Sequence, residues 1–482
     1  MTGALPRGFG LVLDRSLRRF GEGTVLAGGH PGRVVTVTPA GAAALDGLLA
    51  AGRSDGDTAT LAGRLVRYGM AHPLPLEPQD PPGPDGREGA TPRVHTVTVV
   101  VPVLDRPDAL DRCLASLGTH HPVVVVDDAS RHPAPVAAVC AARGARLVRR
   151  DRNGGPGAAR NDALTVVHSD LVAFVDSDCT VGDGWLDGLT WLFEDPGIGA
   201  VAPRVVPAPS DPGTRRRVID RFHAAHSPLD LGPDRGEVGP DRAVRYVPTA
   251  ALVVRREALA EVDGFDSELR VGEDVDLVWR LADAGWRVRY EPSVAVGHEE
   301  PARWSGLLAR RFRYGTSAGV LAARHPGRLA PVELRPWPTL AAVAAVAGRP
   351  RTSAAAVAGS AVLLARSVRS AGIPSRQAAV WSTLGAAWTV VGIGRSATML
   401  AAPGLALLAT RGRRGARAAL VLVVVPPVVE WVRRRPDLGL PRWVAASVAD
   451  DVAYGAGVWT GCVRARSFGP LLPAVGGRHR AS

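Results

Sequence analysis

Cysteine is scarce in this chain: 4 residues among 482, at Cys113, Cys140, Cys179 and Cys462, with no CxxC pair. That excludes a disulfide-stapled scaffold and a cysteine zinc site, and it fits a reducing compartment. Lysine is absent, so arginine alone carries the formal net charge of +12. A basic chain can serve nucleic acid, an anionic membrane surface or anionic substrates. An arginine-only excess follows equally from coding bias, and no nucleic-acid partner is expected. The first twenty residues lack a long apolar core and a cleavage pattern, so no signal peptide is expected. There is no P-loop either. The glycines of "RRDRNGGPGAARN" (149–161) precede no GK[ST], miss the G-x-G-x-x-G spacing, and have no strand running straight into them, which demotes a dinucleotide fold.

What is present separates by composition into three regions, within a length that suits two to four domains. Residues 1–76 carry short strand-like pieces and two helices, a small α+β module. Its first helix, "TPAGAAALDGLLAAG", is opened by Thr38 as cap and Pro39 at the first position. Residues 77–93 are rich in Pro and Gly and read as a linker. Residues 94–330 alternate strand and helix signals. "VHTVTVVVPVL", "PVVVVDDAS", "ARLVRR" and "LVAFVDSD" read as strands joined by helices, hence a parallel sheet covered on both faces. Ligands of such sheets bind at the carboxyl ends of the strands. Asp105, Asp127, Asp128, Arg150, Asp176 and Asp178 all fall there.

Residues 331–482 are Ala/Val/Leu-rich segments bounded by arginines. Only 378–410, interrupted by Arg395, and 415–432, interrupted by Pro426 and Pro427, approach the roughly 20 apolar residues of a spanning helix. The region is either a buried helical bundle or membrane-associated. In the second case Trp381, Trp388 and Trp431 are interface anchors, and the arginines at 411–417 and 433–435 favour the cytoplasmic side of the cell membrane.

Four places could carry chemistry. Asp176 and Asp178 flank a serine at the end of a buried strand, so both side chains could reach one hard cation, or simply cap the strand end. Asp127 and Asp128 end another strand, where a carboxylate can accept from a base edge or a ribose hydroxyl, or cap the turn. Glu273 and Asp274 open an amphipathic helix with apolar positions Leu277, Val278 and Leu281. Acidic residues there complement the helix dipole, and one facing a cleft could be a general base. His298 follows the strand "RVRYEPSVAVGH" and is either structural or the third member of an Asp/Asp/His metal set.

In this order, "VVVPVLDRPDAL", "VVVVDDAS", "NGGPGAARN", "VAFVDSD" and "GEDVDLVWRLADAGWRV" resemble an inverting family 2 glycosyltransferase over about 95–315. The resemblance implies a GT-A fold, a Rossmann-like mixed sheet. It implies that the Pro102–Arg106 loop, with Asp105 and Arg106, holds a nucleotide-sugar together with Asp127, Asp128, Arg150, Asn153, Arg160 and Asp176. Asp176, Asp178 and His298 are then the ligands of Mg2+ or Mn2+, and Asp274 is the catalytic base. The small module resembles winged-helix peptide-binding domains. The whole layout resembles the glycosyltransferases of mycofactocin biosynthesis, which implies a UDP-sugar donor, glucose above all, and a peptide-derived acceptor. Two other functions use the same residues: a membrane glycosyltransferase acting on a cell-wall or lipid-linked glycan acceptor, and a non-catalytic nucleotide-sugar-binding scaffold.

Overall fold

The computed structural model describes residues 4–6, 9–52, 56–75, 95–208 and 216–476. The expected linker at 77–93 lies outside them. The chain divides into two compact units, Met1–Pro209 with Pro228–Glu299, and Ser210–Ser227 with Glu300–Ser482.

The first unit is built on one nine-stranded sheet. Its strands are β1 (Val97–Val103), β2 (Val123–Asp127), β3 (Arg146–Arg149), β4 (Leu171–Val175), β5 (Cys179–Thr180), β6 (Ile198–Pro207), β7 (Gly236–Val238), β8 (Ala251–Arg255) and β9 (Arg287–His298). The order is β5-β9-β6-β8-β4-β1-β2-β3, with β7 also on β9. Every residue of β1 and β4 is buried, as expected of strands covered on both faces. Helices α1 (Pro107–Leu117), α2 (Pro133–Arg143) and α3 (Pro156–Leu164) make the crossovers, each with proline in its first turn. β1 to β4 run parallel as the strand pattern implies, and β8 runs antiparallel between β4 and β6, so the sheet is mixed, as the family resemblance implies. A β-branched run shows that a strand is buried, and says nothing of its direction.

Pro102 lies inside β1 rather than in the following loop, opposite Val126. The Val99 N–H points to β2, so position 102 faces the β4 side, where pairing ends at Val100. The missing N–H therefore leaves no gap in a ladder. Helix α4 (Glu273–Asp283) starts after Gly272, whose φ of 86° turns the chain sharply, and buries Leu277, Val278, Trp279 and Leu281.

The small module packs against this unit. Its strand Gly10–Leu13 pairs antiparallel with Ala71–Leu74, and Arg18–Phe20, Val25–Gly28 and Arg33–Thr36 form a separate three-stranded sheet. Thr38 caps the helix Pro39–Ala51 as the sequence implies, its hydroxyl accepting from the Gly41 N–H at 3.0 Å. Phe9 meets the Trp191 ring edge-on at 5.3 Å, and Arg242 donates to the His30 carbonyl at 2.8 Å. His72 holds Asp14 at 2.8 Å and touches Arg289 of β9 at 3.3 Å.

The second unit is helical. Helix Val218–His226 belongs to it, an excursion of the chain between β6 and β7. Phe222 and Ile219 of that helix share a core with Leu307 and Trp443. Helices Trp304–Gly315 and Ser317–Arg324 lie against Leu440–Ala465 at backbone contact. A Cβ on Gly315 would stand 2.2 Å from the Tyr454 carbonyl oxygen, and one on Gly457 2.0 Å from that of Phe312. Ser375–Ala409 is one helical run kinked at Ala401, just before Pro403. Gly412–Arg434 runs unbroken through Pro426 and Pro427. These two are long and apolar enough to cross a membrane.

Candidate active site

The polar strand ends collect at one edge of the sheet. After β1 the chain turns at Asp105, and after β2 at Ala129, both with left-handed backbone (φ 54° and 64°). Such strain in non-glycine residues concentrates at functional sites. The two turns are tied together: the Asp105 N–H donates to Ser130 Oγ at 2.9 Å, and its carboxylate accepts from the Arg131 N–H at 2.7 Å.

Asp127 and Asp128 are buried and already hold protein donors. Asp127 accepts from the Ser130 N–H at 2.8 Å and from Arg149. Asp128 accepts from Arg150 at 2.6 Å and from the Gly154 and Gly155 N–H groups at 2.8 Å each. Arg150 also donates to Asp162 at 2.6 Å. Asp128 thus shapes the glycine loop that leads into α3. Exposed Asn153, in that loop, accepts from Arg270 at 2.5 Å.

Beyond β4, the Asp178 carboxylate accepts from Arg106 at 2.7 Å, and its other oxygen stands 3.6 Å from His298 Nε2. The sheet explains this meeting of distant residues. β5 pairs antiparallel with the end of β9, Cys179 opposite His298, and the Glu299 N–H donates to the Asp178 carbonyl at 3.0 Å. Arg112 of α1 closes the same corner on Glu299.

Asp176 takes a different partner. Arg160 of α3, 1% exposed, donates to Asp176 at 2.6 Å and to Glu273 at 3.1 Å. Burial raises the Asp176 carboxyl above its ordinary range, Arg160 pulls it down and Asp178 pushes it up. Arg160 was expected to hold nucleotide. It lies instead beneath the surface, joining the end of β4 to the start of α4. The sequence carried no sign of this, because charge is visible there and depth is not.

Asp274 follows Glu273 and is half-buried. Burial, then the neighbouring Glu273 charge, pushes its carboxyl up to about 7, against a hydrogen bond from the Val275 N–H. A carboxylate poised near neutrality is suited to accept a proton from a hydroxyl. Of the two acidic residues at the helix opening, Glu273 is held by Arg160, whereas Asp274 makes no side-chain ion pair among the described residues and feels the Arg160 charge only as a weaker downward pull.

Among the described residues, no three His, Cys, Asp or Glu side chains are gathered tightly enough to ligate one ion. Asp176, Asp178 and His298 are neighbours rather than a closed centre, since the two carboxylates hold Arg160 and Arg106. The donor set still fits a hard divalent cation: carboxylate oxygens at one strand end with an imidazole beside them. Only the Arg106 contact lies at the surface, its side chain 59% exposed, so Asp178 can exchange it for an ion.

The model of Glycosyl transferase family 2 matches residues 98–262. The pre-mycofactocin glycosyltransferase of Mycobacterium tuberculosis is 36% identical over 98% of this chain and 98% of its own. The chain belongs to glycosyl transferase family 2. An N-acetylglucosaminyl-diphospho-decaprenol L-rhamnosyltransferase of Mycobacterium tuberculosis is 32% identical over 40% of this transferase and 72% of its own length. Among solved structures, a mannosyltransferase of Pyrobaculum calidifontis with GDP-mannose and Mn2+ is 22% identical, with a TM-score of 0.37, over 61% of this chain and 84% of that one. The transferase has a mixed sheet, a small α+β module before it and a helical region after it.

Proposed function

We propose that this transferase moves a hexose, glucose first, from a UDP-linked donor to a peptide-derived redox-cofactor precursor, with inversion. One observation carries the reading. A chain 36% identical along its length to a pre-mycofactocin glycosyltransferase holds Asp274 near neutrality at the same sheet edge as Asp176 and Asp178. Mg2+ or Mn2+ on Asp176, Asp178 and His298 would supply counter-charge to the donor diphosphate.

The remaining steps belong to the chain's own residues. Asp105 and Arg106, on a strained turn, take the nucleotide, and Asp128 with Arg150 fixes the glycine loop against it. Asp274 accepts the proton of the acceptor hydroxyl as that oxygen attacks the anomeric carbon. The nucleoside diphosphate leaves from the opposite face, so an α-linked donor gives a β product and no covalent intermediate is needed. The small module presents the peptide part of the acceptor, and the free edge of strand Arg33–Thr36 is open to strand addition. The exposed apolar faces of the C-terminal helices, Leu384, Leu407 and Leu420 among them, rest on the cytoplasmic side of the cell membrane.

A second reading is favoured by the two long apolar helices and the decaprenol-linked relative: transfer to a lipid-linked glycan. A donor and acceptor screen separates them. UDP release is measured with a range of UDP-sugars, each against a pre-mycofactocin peptide product and a polyprenyl-diphosphate sugar. UDP-glucose with the peptide-derived acceptor is expected to turn over fastest. Turnover with the polyprenyl acceptor alone would replace the first reading with the second.

A further inference from the structure

Outside the catalytic unit, Trp388, Arg395, Pro426, Glu430, Ser447 and Asp451 line a depression in the helical unit. It holds about 520 Å3, its open mouth included. Enough room exists for one pyranose ring inserted edge-first, with part of the ring in the mouth.

The walls are unusual for helices so rich in Ala and Val. Asp450 and Asp451 are 1% and 7% exposed. Arg311 pairs with Asp450 at 2.8 Å, and Arg395 with Asp451 at 3.2 Å. His226 stands between Glu430 and Asp450, at 3.6 and 3.4 Å. Buried ion pairs of this kind add little stability over well-packed apolar residues, so stability alone does not account for them. A further feature points to a ligand. Ser447 lines the depression at 4% exposure, and its hydroxyl hydrogen-bonds none of the described residues. Leaving a buried hydroxyl so is unfavourable.

Charge balance selects the ligand class. A phosphate or carboxylate would meet Glu430 and Asp451, and a metal ion would meet Arg395 and Arg433. A neutral polyol uses both kinds of wall: adjacent hydroxyls donate to carboxylates and accept from guanidinium groups. Trp388 is 46% exposed with Arg433 over one face of its ring, 4.8 Å from the centroid, so a sugar C–H face packs on what remains exposed of the indole. We propose that this depression is a second carbohydrate site that binds one neutral hexose ring. It needs neither nucleotide nor metal, and so stands apart from the reading of the catalytic sheet.

The test uses the full chain in excess EDTA. Methyl β-glucopyranoside, methyl α-mannopyranoside and methyl β-galactopyranoside are titrated by saturation-transfer NMR and tryptophan fluorescence. Glucuronate and inorganic phosphate serve as charged counterparts. At least one neutral hexoside is expected to bind saturably, and excess UDP is expected not to displace it. Ser447→Ala breaks no internal hydrogen bond and Trp388→Ala lies at the mouth, so both should fold, with thermal melts as the check. Each should weaken binding about three- to tenfold, roughly what one hydrogen bond or contact face is worth. If one fails to fold, the other decides. Absence of binding by all three hexosides, displacement by UDP, unchanged binding in the folded variants, or tighter binding of glucuronate or phosphate would each overturn the proposal.

Discussion

The Arg160 guanidinium donates to the Asp176 carboxylate at 2.6 Å, beneath the surface of the catalytic unit. Its other arm reaches Glu273. One buried cation therefore fixes the end of β4 relative to the start of α4, where the expected metal ligand and the expected base stand. Arg160→Met fills similar volume but leaves two buried carboxylates without their counter-charge. Loss of about 3–5 kcal/mol is expected. A urea midpoint equal to that of the parent protein would show that the pair is not needed for the fold.

Asp178 is held by a surface arginine, and Asp176 by a buried one, so the two should respond differently to a metal. Asp178→Ala should abolish the response to added Mn2+ and lower the transfer rate on the order of 100-fold, the scale of a lost charge-stabilising group. Its melting temperature should change little, because Arg106 remains solvated. UDP release measured across a Mn2+ titration, with and without EDTA, is the check. Full activity of the variant in EDTA would remove the metal from the mechanism.

The strands and crossover helices from Val97 to Val175 were legible in the sequence, because buried β-branched runs and proline-led helices are local signals. So was the gathering of acidic strand ends, since a parallel sheet brings those ends together whatever the details. Depth and partnership were not legible. Nothing local distinguishes buried Arg160 from exposed Arg106, yet one joins two elements and the other sits on the surface. Asp128 reads in the sequence as a carboxylate for a base edge or a ribose hydroxyl, or as a turn cap, and its oxygens hold the Gly154 and Gly155 N–H groups across 26 and 27 residues. His298 came beside Asp178 through the pairing of β5 with β9, a tertiary choice. Helix Val218–His226 was absorbed into the catalytic region by sequence position, though its apolar face is buried on Trp443 and Leu307.

The module around Arg33–Thr36 offers a test of acceptor binding that keeps the fold. Val34 is 43% exposed on an edge strand, so a charge there disturbs no core. Val34→Glu should raise the KM for a peptide-derived acceptor about tenfold, equivalent to about 1.4 kcal/mol of lost contact. Hydrolysis of the sugar donor in the absence of acceptor should not change. An unaltered acceptor KM would show that the peptide docks elsewhere.

Glu273 and Asp274 sit side by side, and their substitutions should separate in pH as well as in rate. With Asp274 as the base and its carboxyl near 7, kcat/KM should rise with pH, about tenfold per unit, and level off above about 7. Asp274→Asn should bind donor and lose turnover by roughly 100- to 10,000-fold. Stability gives an independent reading. A carboxyl raised on folding contributes stability below its unfolded value near 3.8, and that contribution is lost as pH climbs through about 7. The Asn variant should therefore be more stable than the parent at pH 8, with the difference vanishing by pH 4. Glu273→Gln should be milder in rate, and its signature is a displaced limb. The Glu273 charge is part of what raises Asp274, and Arg160 would lose a competing anion. Both changes favour ionised Asp274, so the acid limb should move to lower pH. A limb that stays in place in Glu273→Gln, or normal turnover in Asp274→Asn, would mean that the titrating base is another group.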